Sequence, residues 1–147
     1  MIYTDKTKRA LKLCFKAHKD QLDKSGLPYV FHPFHLAEQM DDEDSTIVAL
    51  LHDVAEDSDY TLKNIRGMGF GKDVMDALTL LTHDESEDYM SYVKKIAGNP
   101  LARKVKLADL AHNSDVTRLN HEPGEKDLQR LRKYEKAKEL LYQEAIK

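Results

Sequence analysis

One cysteine, Cys14, stands in the 147 residues, so no disulfide can close within the chain. It sits among Ala10, Leu13 and Ala17, where a small apolar side chain belongs in a core. A reducing, cytoplasmic setting suits this usage. Neither sign of charge dominates: 26 acidic against 23 basic residues leave a formal net charge of −3. That balance supplies no general attraction to nucleic acid or to an anionic membrane. No apolar run is long enough to span a bilayer, and the N-terminus lacks the apolar stretch of a secretory signal. Internal repeats and low-complexity tracts are missing. So is any convincing two-residue alternation of apolar and polar side chains, which leaves no strand to predict.

What is present reads as helix. Hydrophobic residues make up 41% and charged residues 33% of the chain, enough apolar matter for one core within a polar surface. Thr4 or Asp5 caps a first helix in which Ala10, Leu13, Cys14, Ala17 and Gln21 keep helical spacing to about Leu22. Ser25-Gly26-Leu27-Pro28 is a loop, and Pro33 suits the first position of a second helix. The acidic run Asp41 to Asp44 precedes a third helix from about Ser45 to Ala55 and suits its positive end. Thr61 caps a short helix through Ile65, Val74 to Leu81 mark a fifth, and Ser86 or Glu87 opens a sixth. Gly98-Asn99-Pro100 stops one helix and starts the next. The expectation is an all-α, single-domain helical bundle over residues 1–147, with its last helix at about 125–146.

Ala49 to Asp57 begins as an apolar run and ends in ionisable groups. On a continuous helix His52, Asp53, Glu56 and Asp57 share an arc of about 140°. Three carboxylates that close repel one another unless a cation sits among them, and a divalent ion accepts both imidazole nitrogen and carboxylate oxygen. A solvated acidic helix end is the plainer reading of this stretch taken alone. Two other places offer partners: His32 just before Pro33, and Asp109 within the apolar stripe of Val105, Ala108 and His112. A carboxylate in such a stripe needs a partner.

The order His32, His52-Asp53, Asp109 resembles the H…HD…D pattern of HD-domain metal-dependent phosphohydrolases. Lys24 to Pro33, KSGLPYVFHP, resembles the KSGxPYxxHP segment of the hydrolase domain in Rel/Spo alarmone enzymes. Leu50 to Asp57, LLHDVAED, is similar to their LLHDxxED motif. Val105 to Asp109, with His112-Asn113 following, is similar to their VKLADxxHN motif, and Phe70-Gly71 also agrees. The likeness covers about residues 10–119. It implies an HD-type helical fold and one divalent ion, usually Mn2+ in this branch, held by His32, His52, Asp53 and Asp109. It implies Glu56 and Asp57 as the pair that positions and activates water, and Asn113 as a contact to a nucleotide. The implied reaction removes pyrophosphate from the 3′ position of guanosine tetra- or pentaphosphate. The chain resembles the small stand-alone hydrolases, without the synthetase that follows in the long enzymes.

The residue types make independent sense. Two carboxylates offset the charge of the ion, two neutral imidazoles fix its geometry, and four protein ligands leave room on an octahedral ion. One position departs from the branch: Asp23 stands before Lys24, where Arg is usual, so an anion replaces a planar cation. That favours an alternative, an HD-type phosphohydrolase on another nucleotide or phosphate ester. A non-catalytic, nucleotide-binding regulatory domain is the further alternative. No nucleic-acid or membrane partner is expected. Lys24, Lys104, Lys106 and Arg118 are the candidate phosphate partners, with Lys24 the one assigned to substrate, although each taken alone reads first as a solvated surface charge. His35 reads as partly buried, His18 as a structural hydrogen-bonding residue, and His112 as a neighbour of Asp109. His83 and His121 read as surface residues, and Tyr89, Tyr92 and Tyr134 as core.

Overall fold

A computed structural model describes residues 1–147. It contains nine α-helices and one 3-10 turn, with no strand beyond a single antiparallel bridge between Leu22 and Pro28. The all-α expectation holds. Helix α3 (Glu43–Leu51) is the centre: every residue from Ser45 to Leu51 is buried. A helix that is buried all round must be wrapped on several sides. Here α1 (Asp5–His18), α2 (Phe31–Glu38), α6 (Lys72–Leu81) and α8 (Pro100–Asn113) do the wrapping. Helix α7 (Tyr89–Ala97) and the long α9 (Glu125–Ala145) close the other side of α8.

Local chemistry sets the ends. Thr4 and Thr7 form a reciprocal capping box at α1. Asp42 caps α3 by accepting from the Ser45 amide, with Glu43 and Asp44 in the first turn where the helix dipole favours anions. Asn99 caps α8 ahead of Pro100, as the Gly-Asn-Pro punctuation predicts. Thr61 caps α5 (Leu62–Arg66) in a second capping box.

Three boundaries differ from expectation, and each has a cause. Helix α1 stops at His18 rather than near Leu22, because the chain folds back into the loop that the Leu22–Pro28 bridge closes; Gly26 takes φ +80° there. Helix α2 starts at Phe31, two residues before Pro33, whose missing N–H is harmless anywhere in the first turn. Helix α7 starts at Tyr89, since Asp88 is the residue that accepts the Ser91 amide. The fourth difference matters for function. The third helix does not run on to Ala55; it ends at Leu51, and a separate turn, α4 (Val54–Asp57), follows.

Cys14 is fully buried, and desolvation pushes its thiol up to about 12, which keeps it inert. No helix is long and apolar enough to cross a membrane.

Candidate metal centre

The break after α3 re-aims the HD pair. Asp53 takes φ −107° and ψ 0°, a bridge-region conformation, between His52 at the end of α3 and Val54 at the start of α4. Neighbours on a continuous helix point about 100° apart. Here both side chains reach one spot, so the single-helix arc is corrected to a bent junction. The start of α2 brings His32 to the same spot and α8 brings Asp109. One ligand atom from each of His32, His52, Asp53 and Asp109 lies within 4.8 Å of all the others. His32 Nε2 is 2.8 Å from Asp109 Oδ1, and His52 Nε2 is 3.0 Å from Asp53 Oδ2 and 3.5 Å from Asp109 Oδ1.

His52 supplies the test of fit. Its Nδ1–H donates to the Ala49 carbonyl at 2.7 Å, which leaves Nε2 with a lone pair. That Nε2 is buried, and neither nearby carboxylate oxygen lies in hydrogen-bonding geometry to it. A lone pair facing two carboxylates calls for a positive charge between them. A divalent ion meets that need with two imidazole nitrogens and two carboxylate oxygens, so the residues fit such an ion. Without an ion the strain falls on the protons. Burial opposes charge on His52, yet Asp53 and Asp109 outweigh it and raise its pKa well above the imidazole range. Burial likewise opposes charge on Asp109, and Lys106, His32 and His52 overcome it and hold the carboxyl well below the usual range.

A surrounding layer orients these groups. The Tyr29 hydroxyl donates to Asp53 Oδ2. Asn113 Nδ2 donates to Asp109 Oδ1 at 3.0 Å, and Lys106 Nζ donates to Asp109 Oδ2 at 2.8 Å while lying 5.3 Å above the Tyr92 ring. Lys106 is therefore not the solvated charge its residue type suggests: its side chain is only 12% exposed. His112 pairs with His32 rather than with Asp109, through Nδ1 atoms 2.7 Å apart. His35 is exposed and stacks on His112 with ring centroids 4.1 Å apart.

Glu56 and Asp57 stand beside the cluster on α4. Their carboxylate oxygens and one of Asp53 lie within 4.8 Å of one another. Partial desolvation, then the charge of Asp53, raises the pKa of both. The His83 amide donates to Glu56 and so gives that residue a site role unlike the surface one expected; its ring packs 4.5 Å from that of Tyr92. Asp57 is tied to the segment just after α1 through its carbonyl, which accepts from Gln21 at 2.5 Å; Gln21 in turn pairs with buried His18, the last residue of α1, at 2.8 Å.

A cavity of about 350 Å³ adjoins this centre at Tyr29 and Asn113. Lys24 lines it, together with Arg118, Arg130 and Tyr134. The last helix thus contributes four lining residues that no motif announced, Asp127, Arg130, Leu131 and Tyr134, and Tyr134 faces a cavity where core was expected. Asp23 also lines the cavity, and its charge is largely occupied. Oδ1 accepts the amides of Ser25 and Leu27 at 2.9 and 3.0 Å, and Oδ2 is 3.9 Å from Arg118. Lys104 takes no part: it pairs with Asp41 and Asp42 on a different face. His121 is exposed as expected.

Comparison with known proteins finds relatives in sequence and in fold. No family model matches the chain. A probable GTP pyrophosphokinase of Mycobacterium leprae is 32% identical over 137 residues, which is 84% of this chain and 17% of that protein. The guanosine-3′,5′-bis(diphosphate) 3′-pyrophosphohydrolase of Aquifex aeolicus is 30% identical over 123 residues, 76% of this chain and 18% of its own. The bifunctional (p)ppGpp synthase/hydrolase RelA of Mycobacterium tuberculosis is 32% identical over 136 residues, covering 84% of this chain and 18% of the relative. The chain thus spans less than a fifth of the length of these curated relatives. Among solved structures, a metazoan SpoT orthologue described as hydrolysing ppGpp matches with a TM-score of 0.74 at 24% identity, over 96% of this chain and 88% of that one. The chain is thus similar in sequence to one segment of Rel/Spo-type enzymes and shares the helical fold of the metazoan SpoT orthologue.

Proposed function

We propose that this chain is a metal-dependent phosphohydrolase that removes pyrophosphate from the 3′ position of guanosine 3′,5′-bis(diphosphate) and its pentaphosphate relative. The observation that carries the reading is the unpartnered Nε2 of His52, buried against Asp53 and Asp109. The names of the relatives from Aquifex aeolicus and Mycobacterium tuberculosis support the substrate. His32, His52, Asp53 and Asp109 hold the ion, with Mn2+ as the native metal. When bound, a divalent ion supplies the positive charge that polarises a phosphate and acidifies water.

The chain's own groups do the rest. Glu56 and Asp57 hold the attacking water and accept its proton, and the raised Glu56 pKa brings this base closer to the working pH. The His83 amide keeps Glu56 in place. Lys24, Asn113, Arg118 and Arg130 offer donors and charge to a nucleotide in the adjoining cavity, and the Tyr134 ring offers an apolar wall. Since α9 supplies part of that wall, residues 1–147 act as one unit, working in the cytoplasm.

Asp23 favours a second reading, in which the same centre acts on another nucleotide or phosphate ester. Three carboxylates, Asp23, Asp115 and Asp127, balance three cations in the cavity, which weakens its pull on a polyphosphate. The test is a product assay by mass with Mn2+. It offers guanosine tetraphosphate beside GTP, dGTP, 3′-phosphorylated nucleotides and a generic phosphodiester, with Glu56→Gln as control. GDP and intact pyrophosphate, lost in the variant, support the first reading. Cleavage of a different substrate alone moves the chain to the second. Bound metal with no turnover of any of them overturns both in favour of a binding domain.

A further inference from the structure

The imidazoles of His32 and His112 lie side by side in one plane. Their ring planes differ by 3°, their centroids are 5.0 Å apart, and their Nδ1 atoms are 2.7 Å apart. Rings stacked face to face cannot bring two nitrogens so close with centroids so far apart. The contact is an in-plane hydrogen bond, in which one Nδ1 donates and the other accepts. The second nitrogen of His32 points the other way, into the cluster, 2.8 Å from Asp109 Oδ1.

His32 can offer that Nε2 as a lone pair only if its proton sits on Nδ1, and a buried Nδ1–H needs an acceptor. His52 meets the same requirement within its own helix. At the end of α3 it has a preceding turn beneath it, and the Ala49 carbonyl takes its Nδ1–H. His32 stands in the first turn of α2, and the Tyr29 carbonyl below it already accepts the His32 backbone N–H. The Nδ1 of His32 instead faces a partner on another helix, His112 of α8.

We infer that His112 is a positioning residue whose Nδ1 accepts the Nδ1–H of His32 and thereby fixes the tautomer that presents His32 Nε2 to a divalent cation. The inference rests on the metal-dependent reading above. His35, itself exposed, stacks on the His112 ring with centroids 4.1 Å apart.

Two variants separate the acceptor from the ring. His112→Asn keeps an oxygen close to where Nδ1 stands; His112→Leu has nearly the same shape and no acceptor. Both lose the stacking on His35. Mn2+ is titrated calorimetrically against wild type and each variant, with thermal unfolding of the metal-free proteins as the check on folding. His112→Leu is expected to bind Mn2+ about 10–100-fold more weakly, with His112→Asn restored to within about threefold of wild type. In wild type loaded with diamagnetic Zn2+, 15N spectra should show His32 protonated at Nδ1, with coupling across the hydrogen bond to His112. Equal affinities in His112→Leu and wild type overturn the inference, as does an equal loss in both variants, which assigns the effect to packing. A wild type that binds neither cation overturns the metal-dependent reading itself, and the inference with it.

Discussion

Two acidic regions lie towards opposite ends of α8, and they are built differently. Below the start of α8, Asp42, Glu43, Asp44, Asp73 and Asp76 surround a cavity of about 720 Å³, twice the size of the one beside the HD junction. Nearer its end, Asp109 meets Asp53 and two histidines. The first region has more carboxylates and more room. Yet Asp42, Asp73 and Asp76 are exposed, Lys104 neutralises two of the neighbouring acids, and Asp42 spends one carboxylate oxygen capping α3. The second has fewer acids, but burial forbids them from relaxing into solvent, and a buried imidazole nitrogen is left without a partner. Size and charge count mark where ions drift near a protein; desolvated, unsatisfied ligand atoms mark where one is held.

The sharpest way to break this comparison is to remove Asp109. Asp109→Ala strips the cluster of its shared carboxylate and leaves Lys106 charged and buried. Removing one partner of a buried ion pair costs about 3–5 kcal/mol. The variant is therefore expected to lose divalent-ion binding altogether and to unfold at a clearly lower temperature, read by calorimetry and by a thermal melt. Retained binding at wild-type affinity would refute the assignment of Asp109 as a ligand.

Next in size is Glu56→Gln, which leaves the four-residue cluster whole. Loss of a general base typically costs about 10²–10⁴ in rate. Single-turnover hydrolysis should fall by that much while Mn2+ affinity stays at the wild-type value. A parallel loss of affinity would move Glu56 into the ligand set.

A smaller effect follows from protonation. Desolvation and the charges of Asp53 and Asp57 raise the Glu56 pKa, against the His83 amide that lowers it. A base works when deprotonated, so hydrolysis should be full above that raised pKa and fall as the pH drops through it. The acid limb then lies above about 4.3, the ordinary value for Glu. A pH–rate profile at saturating metal checks this, and a limb at or below the ordinary value would show that another group carries the proton.

The histidines and acids of the cluster were legible because they travel in short strings with recognisable order, and so was the helical class, because Leu, Ala and Ile recur at helical spacing between clear caps. The bend at Asp53 was not. Nothing in Leu51-His52-Asp53-Val54 forbids a continuous helix; the break is set by what packs around it, with Asp53 held by Tyr29 from a loop 24 residues earlier. Lys106 was misread for a similar reason. A lysine in a sequence looks solvated until a second helix buries its stem, and here Asp109, one turn on, and the Tyr92 face repay that burial. Arg130 and Tyr134 left no local signal at all, since an amphipathic helix shows which face is apolar and not which cavity its polar edge borders.

The smallest effect is expected at the open acidic region, and it is the control on which the comparison depends. Asp73→Asn with Asp76→Asn removes two carboxylates from the larger cavity. Asp76 is half-exposed and pairs with Lys72, whose side chain is 86% exposed, so solvent already screens both partners. The double variant should bind the same number of Mn2+ ions as wild type, with the same affinity and the same rate of hydrolysis. Metal counted by atomic absorption after dialysis reads this directly. A drop from two ions to one would mean that open carboxylates hold metal here without a buried imidazole. The distinction drawn between the two regions would then fail, although the Asp109 result would still stand on its own.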